Sequence, residues 1–207
     1  MFRVLTIARE YGSGGGAVGR SIAERLGWKL LDKAFIDNVA QAAKVDPQLA
    51  QRFDERTDSW LERLAHQGAG LWQGAFEGAV IVTHPDFFDA ETMAALAQRI
   101  IHEGSQRGNV VIVGRGAQCV LRDRKDAFHV FIYAPWAERV ARIRQRLPDQ
   151  KDVEEVIRAT DRQRADYIRT YFRCNWMDAH LYHLMISSGL GEDVVESQII
   201  EALASGG

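Results

Sequence analysis

Short apolar runs and longer amphipathic stretches alternate along most of this chain. Val4–Ala8 is apolar and rich in β-formers, the pattern of a strand buried on both faces. Ile22, Ala23 and Leu26 then share one helical face, and Gly27 reads as a C-cap before a short strand at Trp28–Leu31. Phe35, Ile36, Val39, Ala40 and Ala43 repeat at helical spacing after Asp32. From Ala90, with Asp89 as N-cap, Met93, Leu96, Ala97, Ile100 and Ile101 form a second stripe that Gly108 stops. Asn109–Val113 and Phe128–Tyr133 read as buried strands. Pro135 opens a helix expected to turn Trp136, Val140, Ile143 and Leu147 inward, leaving Arg139, Arg142, Arg144 and Arg146 largely solvated. A long helix over Asp152 to about Phe172, a strand at Tyr182–Ile186 and a helix over Glu192–Ala204 complete the pattern. Five apolar strands separated by helices predict an α/β protein, a doubly wound five-stranded parallel sheet with helices on both faces.

The pattern weakens between residues 46 and 89. Pro47–Phe53 and Asp58–His66 look helical, but Gly68, Gly70, Gly74 and Gly78 then break the period around Trp72 and Phe76. Such an insert suits an acceptor-closing lobe, a lid or a homodimer interface. The expected organisation is one domain over 1–207, with this insert at about 46–89 and a lid helix at about 148–172.

Composition narrows the function. A 207-residue chain with 46% hydrophobic and 26% charged residues suits one soluble domain. The formal net charge of −2 argues against a broad nucleic-acid or membrane surface, so any anion site must be built locally. No leader precedes the first strand and no apolar run is long enough to span a bilayer, which predicts a cytoplasmic protein. Cys119 and Cys174 are too few for a disulfide framework or zinc site, and the six histidines lack ligand spacing.

The candidate chemistry sits in Arg9–Leu26, REYGSGGGAVGRSIAERL. Gly14, Gly19, Arg20 and Ser21 spell G-x-x-x-x-G-R-S between a strand and a helix, the Walker A pattern with arginine in place of lysine. Glycines let backbone N–H groups turn around phosphate oxygens, and the helix N-terminus adds donors and positive potential. This reading assigns Gly12, Ser13, Gly14, Gly15, Gly16, Gly19, Arg20 and Ser21 to ATP, with Ser21 on Mg²⁺. The alternative is a glycine-rich connection with no ligand. Guanidinium is a wide planar fork rather than a point charge, so Arg20 leaves open an active variant, a slow enzyme or an inactive binder. Arg9 could add charge from another side. Asp32, at a strand's carboxyl end, is placed to meet Mg²⁺ through water, to orient a substrate hydroxyl, or to cap the next helix. Arg115 lies between Gly114 and Gly116 after the third strand, either clamping a phosphate or closing a surface turn. Arg158, Asp161 and Arg164 fall on adjoining turns of the lid helix; alone, such a pair is most often a surface salt bridge. These features together predict a P-loop NTPase of kinase type, and no N-K-x-D base-reading motif points to a GTPase.

The segments LTIAREYGSGG at Leu5–Gly15, LLD at Leu30–Asp32, VIVGRG at Val111–Gly116 and DRQR at Asp161–Arg164 resemble the cytidylate kinase-like family. The resemblance implies transfer of the γ-phosphoryl of ATP, with Mg²⁺, to a small phosphorylated acceptor. It implies that Gly14 to Ser21 hold ATP and metal, and that Arg115 contacts the acceptor nucleotide. Asp161 would meet the acceptor sugar and Arg164 the transferring phosphates; Arg158 is close to another lid arginine but out of register. Arg20, Arg115 and Arg164 would then share the charge of the transferring phosphoryl as catalytic cations. Asn38 stands where the family's monophosphate-gripping arginine is expected, and Val113 and Gly116 stand where aspartates flank the G-R pair. Cytosine recognition is thus not carried by the matched residues. The rival expectation is a catalytically weak or inactive nucleotide-binding module.

Overall fold

The computed structural model describes residues 1–35 and 90–206. The helix expected from Phe35, the glycine-broken insert and its Trp72–Phe76 surface, Asn38 and the Asp89 cap lie wholly or largely outside these residues. The chain divides into two compact units, Met1–Lys33 with Gln98–Gly207, and Ala34–Ala97. The second is described only at its two ends.

In the first unit, β1 (Val4–Arg9), β2 (Lys29–Leu31), β3 (Val110–Val113), β4 (Ala127–Tyr133) and β5 (Leu184–Ser187) form one sheet in the order β2-β3-β1-β4-β5. Every pairing is parallel, with Leu5 opposite Val111 and Phe128, and Val130 opposite Leu184. Helices α1 (Gly15–Leu26), α2 (Ala90–Ser105), α3 (Ala117–Val120), α4 (Trp136–Arg146), α5 (Val153–Phe172) and α6 (Glu192–Ser205) follow in chain order.

Strand side chains alternate between faces, so each strand feeds two cores. Leu5, Ile7, Val111, Val113, Val130 and Ile132 pack with Val18 and Ile22 of α1 and with Val195, Ile199 and Leu203 of α6. Ala202 packs at the edge of this core beside the buried Leu203. On the other side Ala8 and Phe131 pack with Cys119, Ile168 and Trp176. Double burial explains why these strands read as continuous apolar runs.

Several boundaries differ from expectation. Asn109 takes a left-handed φ of 53° after Gly108 at 69°, so β3 begins at Val110. Asp178 caps a 3₁₀ turn at Ala179–Leu181, which moves the start of β5 from Tyr182 to Leu184. The short α3 gave no periodic signal. Trp136 is exposed rather than inward, with the guanidiniums of Arg139 and Arg158 5.4 and 4.9 Å from its ring centroid. Cys119 and Cys174, distant in sequence, share the second core; burial and the neighbouring thiol push Cys119 up to about 12, so it is no nucleophile at neutral pH.

His129 occupies the interior of the sheet at 4% exposure. Its Nδ1 and Thr6 Oγ1 share a 2.7 Å hydrogen bond, its backbone N–H donates to His183 Nδ1 at 3.0 Å, and Nε2 is buried. Burial, then the adjacent His183, holds its pKa down at about 4 against 6.5. The unfolded chain therefore binds a proton that the fold refuses between pH 6.5 and 4. Stability should be full above pH 6.5 and fall by about 3 kcal/mol as pH drops to 4. Urea denaturation across that range measures the slope, and His129→Gln should flatten it.

Candidate active site

Residues 10–14 connect β1 to α1, and their path requires glycine at two points: Gly12 and Gly14 have φ of 84° and 77°. Gly14 is the N-cap of α1 and supplies no side-chain cap. Its carbonyl accepts from Ala17 and Val18 N–H at 2.9 and 3.1 Å. Among the described residues, the N–H groups of Gly14, Gly15 and Gly16 donate no hydrogen bond. They are the open donors of a helix start, at the positive end of its dipole. A Cβ on Gly16 would meet nothing within 4 Å, so this approach is open. The Glu192 carboxylate at the start of α6 lies against Gly14.

The helix start corrects the expected motif register. With α1 beginning at Gly15, Gly19, Arg20 and Ser21 lie in its second turn, about 6–9 Å along the axis from the first residue. Gly19 is a packing residue, because a Cβ there would come 2.7 Å from Val113 Cγ2. Arg20 is exposed. Ser21 Oγ donates to Glu196 Oε2 at 2.5 Å, and Glu196 also pairs with Arg25 at 3.2 Å. Ser21 therefore braces α1 against α6 and is not aimed at a metal beside the loop.

The loop's outer side is held by a charged network that sequence reasoning missed. Arg139, expected in solvent, is 5% exposed. Its Nε donates to Tyr11 O at 2.8 Å, one terminal nitrogen lies 3.2 Å from Glu10 Oε1, and the other pairs with Asp161. Asp161 Oδ1 accepts from Tyr11 N–H at 2.8 Å, and Glu10 Oε2 from Ala134 N–H at 3.1 Å. The peptide groups of Tyr11 are thus gripped on both sides. Arg142 adds bonds to Gly12 O at 3.3 Å and Ser188 Oγ at 3.0 Å, and Arg146 one to Tyr11 Oη at 2.6 Å. Both carboxylate oxygens of Asp161 are engaged here, so it braces the loop; an acceptor sugar would have to compete for it.

A second set of cations collects at the carboxyl ends of β1 and β3, where ligands enter parallel sheets. Gly114, Arg115 and Gly116 all have positive φ, 86°, 54° and 74°. A non-glycine residue between two left-handed glycines is a costly turn that keeps Arg115 beside the strand end. Arg115 lies 5.9 Å from the centroid of the Tyr167 ring. Arg164 donates to Arg9 O at 2.6 Å and lies 5.5 Å from the Tyr11 ring centroid. Burial lowers its pKa, with Arg139 and Arg146 adding to the fall and Asp161 opposing it. The Arg9 stem crosses Gly15, where a Cβ would lie 2.8 Å from Arg9 Cβ, and its guanidinium rests on Gly114. Burial first, then Arg164 and Arg115, push Arg9 down to about 9, with Asp32 pulling the other way. Arg9, Arg115 and Arg164 therefore share one region with Asp32. Arg158 is elsewhere, paired with Glu154 at 3.1 Å on an exposed face.

For metal, Asp32 stands beside this cation set, whereas Ser21 is committed to Glu196. No cluster of three His, Cys, Asp or Glu side chains gathers among the described residues. One carboxylate fits Mg²⁺ as it is usually held, by few protein ligands together with waters and substrate phosphates.

A five-stranded parallel sheet in this order, with a glycine loop leading into α1, defines a P-loop kinase fold. The sequence model of the cytidylate kinase-like family matches residues 4–190, and the chain belongs to that family. No curated protein matches it. A crystal structure of an uncharacterized protein from Eubacterium ventriosum ATCC 27560 superposes with TM-score 0.72 at 23% identity, covering 99% of both chains. Shikimate kinase from Bacteroides thetaiotaomicron superposes at 0.51 with 15% identity, covering 97% of this chain and 98% of its own. Both likenesses concern the fold. No helix of the described residues is long and apolar enough to cross a membrane.

The Arg139 network makes a stability prediction. Removing one partner of a buried ion pair strands the others, at about 3–5 kcal/mol. Arg139→Gln should lower the free energy of unfolding by about that much, measured by urea titration. Arg158→Gln, on the exposed pair, should change it by less than about 1 kcal/mol.

Proposed function

We propose that this protein transfers the γ-phosphoryl of ATP, bound with Mg²⁺, to a small phosphorylated acceptor of the nucleoside monophosphate type. The observation that carries this reading is the convergence of Arg9, Arg115 and Arg164 near the open N-terminus of α1. Phosphoryl transfer asks the protein for positioning and charge stabilisation more than for a nucleophile. The N–H groups of Gly14 to Gly16 receive donor phosphates, and Arg164 and Arg115 face the charge spread over the transferring group. An acceptor oxygen forms the new bond to γ-phosphorus as the β–γ bridge breaks, and ADP leaves. Asp32 is the carboxylate that would hold Mg²⁺, which when bound would neutralise phosphate charge. The acceptor is a small molecule rather than a nucleic acid, and the setting is cytoplasmic.

A second reading, a nucleotide-binding module that signals without turnover, is favoured by one feature. Gly15, Gly16 and Ala17 form the first turn of α1, which therefore carries no lysine.

Calorimetry with ATP, with and without Mg²⁺, followed by ADP-release assays across the nucleoside monophosphates, separates the two. Turnover on one monophosphate is the expected result. Tight ATP binding without turnover selects the signalling module, and no binding removes both. Arg115→Ala should weaken the acceptor about 10–100-fold while changing ATP affinity little, since a charge-assisted contact contributes about 1.5–3 kcal/mol. Equal losses for both ligands would mean that Arg115 serves another role.

A further inference from the structure

We infer that Arg9, at the end of β1, supplies the phosphate-binding cation that a helix-borne lysine supplies in the usual glycine-rich phosphate loop. The inference deepens the phosphoryl-transfer reading and rests on it.

In the G-x-x-x-x-G-K-[ST] arrangement the lysine follows the loop directly, at the start of the helix. Here that turn is Gly15, Gly16 and Ala17, and Arg20 lies in the next turn, exposed. The charge on a polyphosphate still has to be met by something near the open N–H groups. The arginines around the loop divide into two groups. Arg139 is neutralised by Glu10 and Asp161, Arg142 is bonded to Ser188 and Gly12, and Arg146 to Tyr11. Those three hold the loop from behind.

Arg9 is different in path and in surroundings. Its stem runs across the first residue of α1, and its guanidinium ends over Gly114, the residue before Arg115. It therefore reaches from the donor loop to the turn assigned to the acceptor. Any side chain at position 15 would meet that stem, with a Cβ 2.8 Å from Arg9 Cβ and 3.2 Å from Cγ. A side chain at position 15 and an arginine on this path exclude one another, and the chain has glycine there.

The electrostatics agree. Arg9 has two guanidinium neighbours and one carboxylate, Asp32, and among the described residues it forms no salt bridge. Burial first, then the Arg164 and Arg115 guanidiniums, hold its pKa down, with Asp32 opposing them. A bound polyphosphate would balance this cation, and the planar fork can hold two phosphate oxygens at once.

The test compares the parent protein with Arg9→Gln, Arg9→Lys and Arg20→Gln by calorimetric titration of ATP·Mg²⁺ and of the best monophosphate acceptor. Arg9→Gln should weaken ATP about 10–100-fold, Arg9→Lys by less, and Arg20→Gln less than about 2-fold. Thermal melting without ligand should leave Arg9→Gln at or above the parent, because an unbalanced cation is removed; Arg9→Lys keeps stem and charge should that variant not fold. ATP affinity unchanged in Arg9→Gln, a loss confined to the acceptor, or an equal loss in Arg20→Gln overturns the assignment while leaving the kinase reading standing. A parent that does not bind ATP overturns the kinase reading, and this assignment with it.

Discussion

The site depends on one buried cation. Arg139 crosses from α4 to the back of the loop, where Glu10 and Asp161 neutralise it and the backbone of Tyr11 is caught between them. A loop of glycines has few side chains with which to hold its own shape, and glycine loses the most freedom on ordering. The network compensates by fixing peptide groups rather than side chains, drawing on β1, α4 and α5 at once. Tyr11 also packs with Val140, Ile143, Val153 and Ile157, so polar and apolar contacts restrain the same residue.

Charge is divided by depth and by partner. Arg139 is the most deeply buried of the loop's arginines and has two carboxylates; Arg158 and Arg162 are exposed and carry glutamate pairs of little energetic weight. Between them, Arg9, Arg115 and Arg164 stand at the strand ends with Asp32 as the carboxylate that opposes their charge on Arg9. Mutual repulsion in a partly desolvated crevice costs the free protein stability, a cost that the polyphosphate of the proposed function would offset. Strain in the Gly114–Arg115–Gly116 turn belongs to the same arrangement, since its three left-handed residues bring Arg115 to that crevice.

The family departures have a consistent place here. Val113 and Gly116, standing where aspartates were expected, leave the turn without acidic side chains, and Gly116 instead admits Phe172, whose ring Cζ would lie 2.7 Å from a Cβ. The turn thus packs directly on the end of α5, the helix that carries Asp161 and Arg164. A bulkier residue at 116 would separate the two cation-bearing elements.

The sheet and its helices were legible in the sequence because strands buried on both faces must be apolar throughout, and helices on a sheet must repeat at 3.6. Gly114 and Gly116 marked their turn for a similarly local reason. The motif register was not legible. Between Gly12 and Gly19 only Gly14 and Gly19 have the G-x-x-x-x-G spacing, but where the helix begins within that spacing is chosen by packing: α1 starts at Gly15, with Gly19 close against Val113 and Ile7. Nor was Arg139. An arginine on a charged helix looks solvated until the partners that bury it, Glu10 and Asp161, are brought to it from distant parts of the chain. Local sequence carries local periodicity; which charge is neutralised, and which is left for a ligand, depends on long-range contacts that only the tertiary structure decides.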